Sequence, residues 1–268
     1  MVQEKDGPAV IEKTQAIVLR IAPVSNTSRI VAWLTADHGK IATVIKGAQR
    51  PKSPFLGQVD LFYTCELLFY AHERRHLHIA RECCALRRRD GLRVDWRAAA
   101  AASYFADLLA RVTPYEAPQP ALFELMDFAL DYLAAEGAGE AFVYWFELKV
   151  LAALGLQPRL HVCLECGQAL LPAQRRASFA LARGGLLCAR CAAGPGGSAT
   201  PVSLDVLAML AGWQASAHPR AALRTHCTVS QLSELEQLLG QFLRFHLETD
   251  GPGRAIALDL LRRKVGAA

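Results

Sequence analysis

Four cysteines in this sequence are spaced for metal chemistry. Cys163 and Cys166 flank Leu-Glu and are followed by Gly167; Cys188 and Cys191 flank Ala-Arg, with 21 residues between Cys166 and Cys188. Two residues between sulfurs let one tight turn aim both at a single ion, and two such pairs describe a tetrahedral Zn²⁺ site built from four thiolates. Gly167 suits the knuckle because glycine accepts positive φ. Gly184 and Gly185 let the chain double back before the second pair. Four thiolates leave no position for water or substrate, so one structural Zn²⁺ held by Cys163, Cys166, Cys188 and Cys191 staples a fold and does not catalyse. A redox dithiol and plain core cysteines are the competing readings. A second Cys-x-x-Cys pair and the lack of a thioredoxin-like βαβ pattern speak against the first. The spacer is slightly longer than the usual ~15–20 residues.

No catalytic constellation accompanies them. The chain has no phosphate-binding glycine loop, no G-x-S-x-G and no H-E-x-x-H. His72, His76 and His78 sit among Glu73, Arg74 and Arg75, which reads better as a solvated turn than as a second metal site. Asp127 and Asp131 lie one helical turn apart and read as a hydrated helix face.

The remaining chemistry is charge. The net charge is +5, and residues 1–90 carry all of it, with 14 Lys/Arg against 9 Asp/Glu. Positive charge concentrated in one region suits a phosphate backbone or an acidic partner. The candidate nucleic-acid contacts are Arg20, Arg29, Lys40, Lys46, Arg50, Lys52, Arg74, Arg75 and Arg81, at strand ends and turns. Lys46-Gly-Ala-Gln-Arg50-Pro-Lys52 puts three cations on one loop. Arg87, Arg88 and Arg89 form a further basic run. Phe55, Phe62, Tyr63, Phe69 and Tyr70 could stack on bases, although strand aromatics mostly pack inward.

These residues need elements to hold them. Thr14–Ile21, Ser28–Thr35, Ile41–Lys46, Gln58–Tyr70 and Leu77–Glu82 read as five short strands with polar turns, a small antiparallel barrel of OB type. Beyond Asp95 the texture turns helical: Ala98–Val112, Pro120–Glu136, Glu140–Leu154, Ser203–Ala215, Ser230–Glu248 and Arg254–Lys264. Ser233 and Glu236 are spaced to cap the fifth of these. The fold class expected is α+β multidomain: a flexible tail (1–12), an OB-fold nucleic-acid-binding domain (13–90), and an α-helical domain (91–268) with the zinc finger inserted at about residues 160–195. No apolar run reaches the ~18 residues that span a bilayer, and Met1–Val10 lacks the apolar core of a signal peptide. Scattered cysteines elsewhere fit a reducing, cytoplasmic setting.

Several blocks, in this order, resemble the bacterial RecO family of recombination mediators. They are Ala16–Arg20, Ser28–Val31 leading into Leu34–Lys40, Lys46–Arg50, Leu154-Gly-Leu-Gln-Pro158, Cys163-x-x-Cys166-Gly167, Phe179 with Gly184-Gly185, and Cys188-x-x-Cys191. The resemblance implies a non-enzymatic, nucleoid-associated protein that binds single- and double-stranded DNA and anneals complementary strands. It implies three partners: RecR, the acidic C-terminal tail of single-strand-binding protein, and, indirectly, the recombinase RecA. Arg111, Arg159, Arg175, Arg176 and Arg183 are the cations available to hold such a tail. The alternative is a zinc-ribbon, RNA-binding or regulatory recruitment protein without annealing activity.

Overall fold

Five strands close into a barrel. The computed structural model describes residues 10–72, 76–169, 176–194, 199–249 and 251–263. Its first strands are β1 (Val10–Pro23), β2 (Arg29–Thr35), β3 (Gly39–Ile45), β4 (Thr64–Ala71) and β5 (Leu77–Arg87), in the order β1-β2-β3-β5-β4. All neighbours are antiparallel except β3 and β5, whose parallel pairing closes the OB-like barrel. β1 begins at Val10, which pairs with Ala71, so the segment expected as a tail already contributes to the sheet at Val10–Glu12.

Inward-facing residues make a dry interior: Ala16, Val18, Val31, Trp33, Ile41, Leu67 and Phe69. The Trp33 indole N–H is satisfied by Thr43 Oγ1 at 2.9 Å. Between β2 and β3 the Thr35 hydroxyl donates to the Gly39 carbonyl and accepts from the His38 N–H. Gly39 takes φ +69°, and a Cβ there would lie 2.0 Å from the Ala117 carbonyl oxygen. Only glycine permits both.

The expected strand over Gln58–Tyr70 starts later, at Thr64. Asp60 turns the chain by accepting from Leu61 N, and Phe62 adopts the left-handed region at φ +67°. Residues with strand propensity thus form a loop, because backbone turns override propensity at this point.

Helices α1 (Gly91–Val94), α2 (Trp96–Val112) and α3 (Pro120–Glu136) follow. Asp95 caps α2 by accepting from Arg97 N and Ala98 N, and Pro120 opens α3 with its φ already suited to a helix. The chain divides into two compact units: one within Met1–Gly137 and Gly253–Leu260, the other within Ala138–Pro252 and Leu261–Ala268. The three helices therefore belong with the barrel, and the boundary by packing falls at Gly137, beyond the change of texture at residue 90.

In the second unit α4 (Glu140–Ala153) is apolar on every side and central, burying Phe142, Tyr144, Trp145, Phe146 and Leu151. Next come β6 (Arg159–Cys163), β7 (Arg176–Ala180), β8 (Gly185–Leu187), α5 (Ala189–Ala192) and β9 (Thr200–Ser203), then α6 (Leu204–Ala215), α7 (Arg220–Arg224), α8 (Val229–Leu247) and α9 (Gly253–Arg262). The strands form one sheet, ordered β6-β8-β7-β9. The cysteine insertion is thus a small sheet with strands too short to leave a period in the sequence. A capping box does open α8, formed by Thr228 and Gln231 and not by Ser233 and Glu236.

Candidate metal centre and nucleic-acid surface

The four cysteines converge. One sulfur from each of Cys163, Cys166, Cys188 and Cys191 lies within 4.8 Å of all the others. Cys163 ends β6, and Gly167, at φ +70°, donates its N–H to the Cys163 carbonyl to close the first knuckle. Cys188 is the N-cap residue of α5, and Cys191 lies one turn further on. The two knuckles meet because β6 and β8 run side by side. A Cβ on Gly185 would come within 2.8 Å of the Arg159 carbonyl oxygen, so the close approach requires glycine.

The donor set fits one soft or borderline cation. The Cys166 and Cys188 sulfurs are 3.9 Å apart, against about 3.8 Å for two corners of a tetrahedron with bonds near 2.3 Å. Burial pushes the Cys163 thiol up, but backbone N–H donors, including Cys188 N at 3.3 Å, outweigh it and bring it down to about 6. Backbone donation also lowers Cys188, whereas its hydrogen bond to Cys188 pushes Cys191 up to about 12. The Cys166 and Cys191 sulfurs hold the Arg190 guanidinium more firmly protonated. Cys163 and Cys188 are thus met by fixed backbone donors, the outer-shell arrangement that steadies thiolate ligands. Their apolar surroundings are thin: Ala180 and Leu187 are the fully buried companions of Cys163.

The cations divide into two classes. Lys46, Arg50 and Lys52 are exposed on the loop after β3 and make no ion pair among the described residues. Gly47, at φ +66°, turns that loop, and the Arg50 side chain lies back over it. Beside them the end of the barrel opens into a cavity of about 390 Å³ with Arg29 at its edge. Arg20 is exposed on β1, and Arg81 pairs with Glu82 at 3.2 Å. Arg74 and Arg75 lie outside the described residues.

Arg87 and Arg89 are committed elsewhere. The Arg89 side chain, 2% exposed, donates to Asp131 Oδ1 and Asp127 Oδ1 at 2.7 Å each, to Thr64 Oγ1 at 2.8 Å and to the Phe62 carbonyl at 2.7 Å. Arg87 pairs with the same two carboxylates. This network ties the β4 and β5 ends to α3.

Comparison with known proteins agrees with this architecture. Residues 10–88 match the family described as Recombination protein O N terminal, and residues 93–254 match Recombination protein O C terminal. The chain belongs to the RecO family. It is similar to the DNA repair protein RecO of Roseiflexus sp. (strain RS-1), 33% identical over 253 residues that cover 94% of this chain and 87% of that relative. It is similar to that of Anaeromyxobacter sp. (strain Fw109-5), 31% identical over 259 residues, 95% of this chain and 96% of the relative. The RecO protein of Rhodopirellula baltica is 34% identical over 176 residues, 66% of this chain and 65% of its own. Membership of a family of DNA repair proteins gives the barrel's positive face a nucleic-acid context. No helix of the described residues is long and apolar enough to cross a membrane.

Four sequence expectations need correction. Lys40 is no rim cation: it is 7% exposed, its ammonium donates to the Ala110 carbonyl at 2.5 Å, and it sits 4.3 Å from the Tyr115 ring centroid. Burial lowers its pKa. Asp127 and Asp131 form no hydrated face but hold Arg87 and Arg89. His78 is buried, not part of a solvated turn; its Nδ1 accepts from His72 N–H and its Nε2 faces Glu116 at 3.4 Å. That tautomer keeps the proton on Nε2 and leaves no lone pair for a metal. Arg111, counted with the helical domain, lies on α2 in the first unit and pairs with Asp107. Phe55, Tyr63 and Phe69 are core; Phe62 and Tyr70 are half-buried.

Proposed function

We propose that this protein is a non-enzymatic mediator of recombinational DNA repair, associated with the nucleoid. It binds single- and double-stranded DNA through backbone phosphates, anneals complementary strands and, with RecR, helps RecA load onto DNA coated by single-strand-binding protein. One observation carries the reading: three exposed cations without ion-pair partners among the described residues share one short loop beside one end of an OB-like barrel. Exposed cations left without carboxylates attract phosphate at little cost in stability. The annealing and the partners are part of this proposal and rest on the resemblance to the RecO family, not on an observed contact.

The cysteine centre holds one zinc ion. Four thiolates in a closed tetrahedron suit Zn²⁺ and leave nothing open for catalysis, so the ion stabilises the second unit. The acidic tail of single-strand-binding protein docks on that unit. A cavity of about 420 Å³ with Arg159 and Arg183, the latter already paired with Glu165 at 2.7 Å, beside Leu156, Leu164 and Phe242 offers guanidinium groups for a carboxylate and an apolar floor for its last side chain. Arg175 and the Arg176 side chain lie outside the described residues.

The deciding experiment is strand annealing by the purified full chain with two labelled complementary oligonucleotides. Annealing well above the spontaneous rate is expected, with no ATP requirement. Binding of RNA but no acceleration of DNA annealing would overturn the reading in favour of a recruitment protein.

A further inference from the structure

The two ends of the barrel are finished differently. At the start of β3, Gly39 is pressed against the Ala117 backbone and Lys40 is anchored to α2. At the finish of β3, Ile45 opens into the 390 Å³ cavity. Its walls are inward residues near the ends of three strands, Ile21 late in β1, Val31 early in β2 and Ile45 at the finish of β3, together with Phe55 and Val59 from the loop between β3 and β4. Val31 and Ile45 are almost fully buried and Phe55 is 9% exposed, so the cavity has an apolar floor, with the exposed Leu56 beside it.

We propose that this cavity receives a single unstacked nucleobase of a bound DNA strand. This inference rests on the single-strand binding proposed above and adds the part of the strand that enters the barrel. The volume is at the small end of ligand pockets, about 300–1,000 Å³, which suits a planar heterocycle and not a helix. Lys46, Arg50 and Lys52, on the loop that lends Ala48 and Gln49 to the cavity wall, select an occupant carried on an anionic chain. Polar groups at the rim suit base edges: the Gln49 amide, hydrogen-bonded to Arg29 and the Asn26 carbonyl, and the Asp60 carboxylate, paired with Arg93 at 2.6 Å. A carboxylate there opposes a phosphate inside the cavity, so the base goes in and the phosphates stay with the loop. Apolar walls accept any base face, which makes the capture tolerant of sequence.

The test compares two oligonucleotides with identical phosphates, an oligothymidylate and the same chain made abasic, by fluorescence anisotropy on the full-length protein. The intact protein should bind the abasic chain about tenfold more weakly, the scale of losing one stacked base. In Ala48→Phe, whose ring projects into the mouth of the cavity, that difference should collapse. Equal affinity of the intact protein for both oligonucleotides would overturn the base pocket and leave phosphate binding standing. A difference that survives A48F places base capture elsewhere and also overturns it. Binding of neither oligonucleotide would sink the single-strand reading and this inference with it.

Discussion

The two units each pin chain segments that lack enough apolar contact of their own, and they do so with different chemistry. In the first, Arg89 reaches across from the end of β5 to Asp127 and Asp131 on α3, so cation and anions both come from the chain. In the second, four sulfurs from two knuckles converge with only Ala180 and Leu187 buried beside Cys163, and their cation must come from solution. The first fastening is complete whenever the chain folds. On the zinc reading proposed above, the second is conditional on metal, because no preformed site exists in the unfolded chain and binding free energy becomes folding free energy. On that reading the barrel, which carries the exposed cations, should be independent of metal supply, and the sheet of the second unit should not.

The largest expected effect separates the two directly. A strong chelator, or Cys188→Ser, should unfold the β6–β9 sheet while leaving the barrel intact. Apparent zinc-binding free energies of about 10–16 kcal/mol in small zinc modules show how much folding free energy such a site supplies. Elemental analysis should find about one zinc per chain, and limited proteolysis after chelation should cut within residues 164–194 first. A metal-free protein with unchanged protease resistance there would erase the contrast.

Arg89→Ala should come next and fall on the other unit. It leaves Asp127 and the half-exposed Asp131 with Arg87 alone, and breaking the buried pair should cost up to about 3–5 kcal/mol. Chemical denaturation should show this in the barrel transition, with the metal content unchanged. A loss below about 1 kcal/mol would mean the network is solvated and only decorative.

Acidification should also distinguish the units. Burial lowers the His78 pKa below its ordinary 6.5, with Glu116 opposing and His72, His38 and His76 reinforcing the shift. The unfolded chain therefore takes up this proton first as pH falls. Stability from this group is fully present above 6.5 and is lost as pH drops from 6.5 through the folded value. His78→Asn, whose side-chain oxygen can still accept from His72 N–H, should flatten that part of the stability profile. An identical slope in the variant would reassign the effect to other groups.

How much of this was legible beforehand follows from the range over which each device acts. The metal centre is written in local spacing, since two knuckles each need only a few residues. Pro120 and the apolar stripes fixed the helices for the same reason. The Arg89 network was not legible, because Asp127 lies 38 residues from Arg89 in sequence and a pair of carboxylates one turn apart looks the same whether wet or buried. Lys40 was misread on similar grounds: a lysine after Asp-His-Gly has every mark of a surface turn until α2 is packed over it. The strands of the metal module were missed because a strand as short as Gly185–Leu187 carries no period.

The smallest effect on stability belongs to the loop, and it is the one that tests function. Lys46, Arg50 and Lys52 touch no carboxylate among the described residues, so replacing all three with Ala should change stability by no more than about 0.5 kcal/mol. Affinity for DNA should behave differently. If a bound single strand has about four to six phosphates neutralised, log affinity should fall with log salt at a slope near −3 to −4. Removing three cations should flatten that slope by roughly one unit or more and weaken every sequence alike, since phosphate contacts position without specifying. Arg87 and Arg89 cannot compensate, because their donors are spent on Asp127 and Asp131. Measuring the triple variant against a labelled oligonucleotide across a salt series, with circular dichroism to confirm the fold, separates surface charge from a binding site. An unchanged slope in a folded variant would move DNA binding off this loop, to Arg88, Arg20 or the second unit.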